Sequence, residues 1–177
     1  MILYHGTTHD IAGIDVTRGK PFKDFGQGFY ATPSYDHAAN IAGRNRRIEI
    51  ERNEISGKAA DVKVFVCTYS VTLKDLDKLI VKRFETPTAE WVDFVVRNRT
   101  VRDAPHEYDL IIGATANDDT RITIQNYLFG AYGEPGTDEA VAGFLKNIRT
   151  EKLPIQWLFA TQRAADLLSF EGKEQLQ

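Results

Sequence analysis

The sequence holds one cysteine, Cys67, and one methionine, at its first position. A single thiol excludes an internal disulfide framework, and Cys67 closes the apolar run Val64-Phe65-Val66-Cys67, which reads as buried core. No apolar run approaches the roughly 20 residues that a membrane-spanning helix needs. The start, Met1-Ile2-Leu3-Tyr4-His5, has neither a basic segment nor a long apolar stretch of secretory type. A cytoplasmic setting and no membrane partner are therefore expected. Gly-x-Gly-x-x-Gly after a strand, a phosphate loop ending in Gly-Lys-Ser/Thr and a Gly-x-Ser-x-Gly elbow are all missing. These absences exclude the common dinucleotide fold, the phosphate-loop enzymes and the usual serine-hydrolase elbow. No His/Cys set has structural zinc spacing, so no metal is expected. The formal net charge of -3 argues against a surface that binds polyanions as a whole, while leaving a local basic patch open.

What remains is ordinary in bulk. The 177 residues, 42% hydrophobic and 27% charged, suit one globular domain over 1–177 with a polar, frayed tail from about 170. Ile2 to His5 reads as a first strand stopped by Gly6, and Gly28 to Thr32 as a second. Ser34 is placed to cap a helix with a small apolar face, Ala38, Ala39, Ile41 and Ala42, ending near Gly43. Val62 to Leu73 is the strongest strand, with alternating, β-branched residues. Further strands are expected over 80–84, 108–112 and 155–160. Helices are expected from Thr86 through Asn98, over 122–129, from Thr137 through Ile148 and over 161–168. Strands and helices do not alternate regularly, which favours α+β over a doubly wound sheet.

Two stretches carry possible chemistry: Tyr4-His5-Gly6-Thr7, and Lys23-Asp24-Phe25-Gly26-Gln27-Gly28-Phe29-Tyr30-Ala31-Thr32. Taken singly, each residue has a plain reading. His5 is an ordinary hydrogen-bonded strand end, Tyr30 is core, Gly26 and Gly28 shape a turn, and Gln156 lies on the exposed side of a strand. His9, His37 and His106 have no partner spacing and read as surface residues; Trp91 and Trp157 read as core.

Jointly and in order, the stretches resemble the diphtheria-toxin-like ADP-ribosyltransferases, the superfamily that includes the poly(ADP-ribose) polymerases. Tyr4-His5-Gly6-Thr7 is similar to their His-Gly-Ser/Thr strand, and 25–31 to their Phe-Gly-Lys-Gly-Ile-Tyr-Phe segment; Ser34 to Asn40 resembles the helix that follows. A bacterial branch of that superfamily adds Tyr-Asp-x-x-Ile-Gly, here 108–113, and a late Gln-x-x-Phe-x-Thr, here 156–161. The resemblance implies an α+β transferase-like fold with two small antiparallel sheets forming an NAD cleft. It implies NAD as substrate and His5, Tyr30 and Gln156 as the catalytic set. Gly6 would hold the nicotinamide carboxamide through its backbone N–H and C=O, with Thr7 adding a hydroxyl. Gly28, Phe29, Ala31 and Lys23 would complete the wall, and Ile41 would close the ring stack where the polymerases have a tyrosine. Gln156 departs from the superfamily's glutamate, supplying a dipole where a full charge is usual. Asp118 and Asp119 are candidates for the missing charge. Lys20, Lys23 and Arg44, Arg46 and Arg47 either solvate the surface or contact NAD phosphates or an acidic target.

The function so implied is mono-ADP-ribosyl transfer from NAD to a protein or nucleic-acid acceptor, and the resemblance further suggests the toxin of a toxin–antitoxin pair with a small antitoxin partner. The alternatives are a weak or inactive module that binds NAD, ADP-ribose or a partner protein, and an NAD glycohydrolase.

Overall fold

The computed structural model describes residues 1–11, 13–57, 61–116, 119–148 and 153–177. Among them the chain forms six α-helices and seven strands in two small sheets, an α+β arrangement. The first sheet has the order β1 (Ile2–Thr7), β3 (Val64–Ser70), β7 (Ser169–Leu176), antiparallel throughout. The second has the order β2 (Phe29–Ala31), β6 (Ile155–Phe159), β5 (Leu110–Ala114), β4 (Val81–Arg83). Here the expectation of two antiparallel sheets needs correcting. β4 runs parallel to β5, because α3 (Ala89–Thr100) returns the chain across the sheet between them.

The sheets face each other across one core. Leu3, Cys67 and Tyr69 of the first meet Phe29, Ala31, Leu110, Ile112, Trp157 and Phe159 of the second. The far side of the second sheet, with Ile111 and Leu158, is covered by Trp91, Val92 and Val95 of α3, Ile124 and Tyr127 of α4 (Asp119–Leu128), and Val141 and Phe144 of α5 (Asp138–Ile148). The far side of the first sheet is covered by α1 (Tyr35–Ile55), whose cap Ser34 accepts the N–H of His37 at 3.2 Å. Two helices of four residues, α2 (Leu73–Leu76) and α6 (Gln162–Ala165), turn corners between strands. Cys67, Trp91 and Trp157 are buried, as their apolar surroundings in the sequence imply. No helix among the described residues is long and apolar enough to cross a membrane.

Several element bounds differ from the sequence reading: β1 runs through Gly6 to Thr7, β3 is shorter than the expected 62–73, and three further differences have a clear physical reason. α1 does not stop at Gly43. A Cβ there would meet nothing within 4 Å, so the glycine costs propensity alone, about 1 kcal/mol. The Arg- and Glu-rich stretch beyond it is made of good helix formers. The polar tail is not frayed: it is β7, in register with β3 from Val64↔Leu176 to Ser70↔Ser169. The open backbone edge of β3 supplies the pairing that composition hides, and Phe170 packs edge-on to Tyr69 at 5.6 Å. The last helix is short, four residues where eight were expected.

Candidate functional site

Among the described residues, one backbone bridge joins the two sheets. Tyr4 N–H donates to the Thr32 carbonyl at 2.7 Å, and Thr32 N–H to the Tyr4 carbonyl at 2.9 Å. Continuing that antiparallel register sets His5 against Ala31 and Gly6 against Tyr30. The strands instead split there. Backbone groups alternate sides along a strand, so Gly6 presents its N–H and C=O to the same side as Tyr4 does, into the split. Opposite, Tyr30 presents its own backbone groups inward, since Phe29 and Ala31 pair with Phe159 and Trp157 of β6.

His5 spans the split. Its Nδ1 lies 2.6 Å from the Tyr30 carbonyl oxygen. A carbonyl only accepts, so Nδ1 carries the proton and Nε2 is left as an acceptor. Burial pulls the imidazole below its ordinary pKa, with the Tyr30 bond opposing more weakly, so the neutral form holds at pH 7. The Phe29 ring, 4.5 Å away between centroids, fixes the ring plane.

Tyr30 leaves the opposite face of β2. Its hydroxyl donates to the Gly26 carbonyl at 2.8 Å and accepts the Phe25 N–H at 3.1 Å. The phenol end thus pins the glycine loop, and the flat of the ring is what remains to meet a ligand. Burial, then the nearby Asp24 charge, push the phenol well above its usual pKa. Gly28, at φ 150°, has a packing reason of its own: a Cβ would lie 2.5 Å from the Phe159 carbonyl oxygen and 2.6 Å from Leu158 Cδ1.

Gln156 lies on β6 two residues from Leu158, the partner of Tyr30, so both side chains share one face. Such diagonal neighbours stand roughly 7–8 Å apart. Gln156 is buried, not on an exposed side. Its amide nitrogen donates to Asp24 Oδ2 at 2.7 Å and, at 3.4 Å, to the Ala114 carbonyl. Asp24 is itself buried and takes three further bonds: Ala116 N–H to Oδ2 at 2.8 Å, and Arg99 Nε and a terminal guanidinium nitrogen to Oδ1 at 2.7 and 2.5 Å. Arg99 also donates to the Ala116 carbonyl at 3.0 Å. Asp24 and Arg99 are the site residues that sequence reasoning missed. They stand 75 residues apart, and Asp24 and Gln156 132, so no local spacing announces either pair.

The other expected residues divide. Thr7 is buried, its hydroxyl accepting the His9 N–H at 3.0 Å. Phe29 and Ala31 belong to the core between the sheets, so their side chains back the wall and do not line it. Ile41 is half-buried, one turn from Ala38 on the stripe of α1 that abuts Gly6. Lys23 sits among cations: desolvation, then the like charge of Arg44, Lys20 and Arg99, lower its pKa against the pull of Asp24. Asp118 and the side chain of Asp119 lie outside the described residues. His37 and His106 are corrected from surface to half-buried. His37 Nε2 is 3.4 Å from Thr115 Oγ1, and His106 stacks on Tyr108 at 5.8 Å. Burial lowers both imidazoles. No group of three or more His, Cys, Asp or Glu that could hold a metal ion occurs among the described residues. Two open hollows of about 330 and 460 Å³ lie elsewhere, beside Asp10 and Glu49 and beside Leu76 and Val81. Neither hollow is lined by His5, Gly6, Tyr30 or Gln156, so the split between β1 and β2 is distinct from both.

A family model described as "Protein of unknown function (DUF3990)" matches residues 1–170. No curated protein and no solved structure matches the chain.

Proposed function

The chain belongs to the DUF3990 family, and from the residues at the split between β1 and β2 we propose that it is a mono-ADP-ribosyltransferase that uses NAD as its substrate. One observation carries the reading: a His5 imidazole of fixed tautomer bonds the Tyr30 carbonyl at the point where β1 and β2 part, beside the backbone of Gly6. The N–H and C=O of Gly6 match the acceptor and donor of a carboxamide. The Tyr30 ring offers a stacking surface for a pyridinium, worth about 0.5–1.5 kcal/mol beyond area burial by analogy with aromatic pairs. His5 Nε2 accepts a ribose hydroxyl. The bond from ribose carbon to nicotinamide nitrogen breaks, its electron pair leaving with nicotinamide. The acceptor's nucleophile then bonds to the same carbon and gives up its proton. Positive charge develops on the sugar between these events, and the negative end of the Gln156 dipole stabilises it. Lys23 and Arg44, which share one electrostatic neighbourhood, suit the diphosphate. The acceptor is a protein side chain or a nucleic-acid base. The resemblance to toxin-type transferases further suggests a small antitoxin that binds this chain.

A second reading, a binding module for NAD or ADP-ribose, is favoured by one observation. The carboxylate nearest the site, Asp24, is already neutralised by Arg99. Transfer of label from biotinylated NAD to a cell lysate separates the two. The transferase labels a macromolecule, and His5→Ala reduces labelling about 100-fold by loss of positioning. Label that stays on intact NAD supports the binding module. Free ADP-ribose with no labelled macromolecule makes water the acceptor.

The His5 tautomer gives a pH dependence of defined sign. Its pKa is lowered, so the acceptor Nε2 persists through pH 7 and is lost as pH falls through that lowered value. NAD affinity, followed by calorimetry from pH 7.5 downward, is expected to fall in the wild type as the pH passes through that lowered value. The decline is expected to be absent in His5→Ala.

A further inference from the structure

Gln156 poses a question that the transfer reading leaves open. An amide has one donating and one accepting edge, and only the accepting edge favours a developing cation. Something must decide which edge faces the ribose. Asp24 does so by its contacts. Oδ2 accepts from Gln156 Nε2 at 2.7 Å, and the Ala114 carbonyl, another pure acceptor, lies 3.4 Å from the same nitrogen. The opposite amide orientation would turn the Gln156 carbonyl oxygen onto a carboxylate and a carbonyl, three acceptors with no proton among them. Arg99 and the Ala116 N–H hold the Asp24 carboxylate in place from two other elements.

Building on the transferase reading, we propose that Asp24 is the positioning residue of the site: it grips the Gln156 amide nitrogen and so turns the Gln156 carbonyl oxygen toward the sugar in the split. The same contact explains why position 156 carries glutamine. A glutamate there would set two carboxylates in direct contact, and they would have to share a proton.

Two measurements on the full chain test this. In Asp24→Asn, donors surround both carboxamide positions: Arg99 at one, and the Ala116 N–H with the Gln156 amide at the other. An amino group at the second position turns the Gln156 amide over, and one at the first sets it against Arg99 and shifts the side chain, so in either case the grip on Gln156 is lost. Label transfer from NAD is expected to fall about 100-fold. In the double variant D24N/Q156E, the carboxylate at 156 accepts from the new amide with one oxygen and faces the sugar with the other. At least about tenfold of the loss is expected to return, with a changed pH profile. A double variant no more active than Asp24→Asn, at equal thermal stability, assigns Asp24 a purely structural role and overturns the proposal.

The second arm needs no NAD. Gln156→Glu is melted against wild type between pH 5 and 8. Among the described residues, the other charged or titratable groups that interact with Asp24 include Arg99 on α3, Lys23 on the glycine loop, Tyr30 on β2 and His37 on α1. All are common to both proteins, so their titration cancels in the difference. The melting gap is expected to widen as pH rises, because the carboxyl at 156 can then keep its proton only at increasing cost. A gap independent of pH overturns the pairing itself. An inactive wild type overturns the transfer reading, and the melting arm still decides whether Asp24 holds Gln156.

Discussion

Gly6→Ala is expected to lower stability by more than about 3 kcal/mol, at the upper end of what overpacking costs. For a chain of this size that is a drop of roughly 6–12 °C in melting temperature, read by calorimetry. The reason lies in α1 and not in the backbone angles of Gly6. A Cβ on Gly6 would stand 1.8 Å from the Ala38 carbonyl oxygen, 2.8 Å from the Ala38 carbonyl carbon and 3.0 Å from the Ala42 nitrogen. All three are backbone atoms, so no side chain can rotate away. The helix must lift off the first sheet, and Ala38 and Ala42, its buried residues, lose their contacts with it. Gly43→Ala on the same helix is the control. Its Cβ meets nothing within 4 Å, and the change is expected to be neutral or to stabilise by up to about 1 kcal/mol. If Gly6→Ala melts like wild type, the close packing of α1 on β1 is wrong, and so is the placement of the Gly6 backbone at the split.

The glycines were visible in sequence, but not what requires them. Gly6 reads as the end of the first strand, yet β1 runs on to Thr7, and it is the backbone of Ala38 and Ala42 that leaves no room for a side chain. Gly28 reads as a turn residue, and Phe159 and Leu158, much later in the chain, exclude a Cβ there. The strands rich in β-branched and aromatic residues, β1, β3, β5 and β6, were legible, because each is buried on at least one face. β7 was not. Its side chains are mostly exposed and polar, and what makes it a strand is the backbone edge of β3, a hundred residues earlier in the chain. Composition records burial; it does not record a vacant ladder position.

The site was legible as far as its members could be named one at a time. His5, Gly6 and Tyr30 are set by two short stretches, and the Tyr4–Thr32 bridge joins those stretches directly. Gln156 could be named but not interpreted, because its meaning depends on Asp24. Asp24 heads the glycine loop and reads as one more polar turn residue. Only the folded chain shows it buried, with Arg99, Ala116 and Gln156 all directed at it. A buried carboxylate implies a buried or half-buried cation. With 22 lysines and arginines in the chain, that rule narrows the search without ending it.

Arg99→Met is the other substitution with a large expected effect. The Asp24–Arg99 pair is sheltered: the Asp24 side chain is 6% exposed and that of Arg99 22%. Removing one partner of such a pair leaves a buried charge uncompensated, which typically costs 3–5 kcal/mol, well above what the pair itself contributes. Arg99 also supplies the bond to the Ala116 carbonyl, so the segment after β5 loosens with it. The loss is expected near 4 kcal/mol by urea denaturation, and it is expected to shrink in the double variant D24N/R99M, where no charge is left buried. This non-additivity separates a charge effect from a packing effect. Methionine keeps most of the Arg99 stem, so two losses that simply add would mean that the stem, and not the ion pair, matters. A difference within about 0.5 kcal/mol of additivity would sink the claim that Arg99 and Asp24 act on stability as an ion pair. It would also remove the support on which the orientation of Gln156 depends, because a carboxylate free to turn cannot dictate which edge of an amide faces the split.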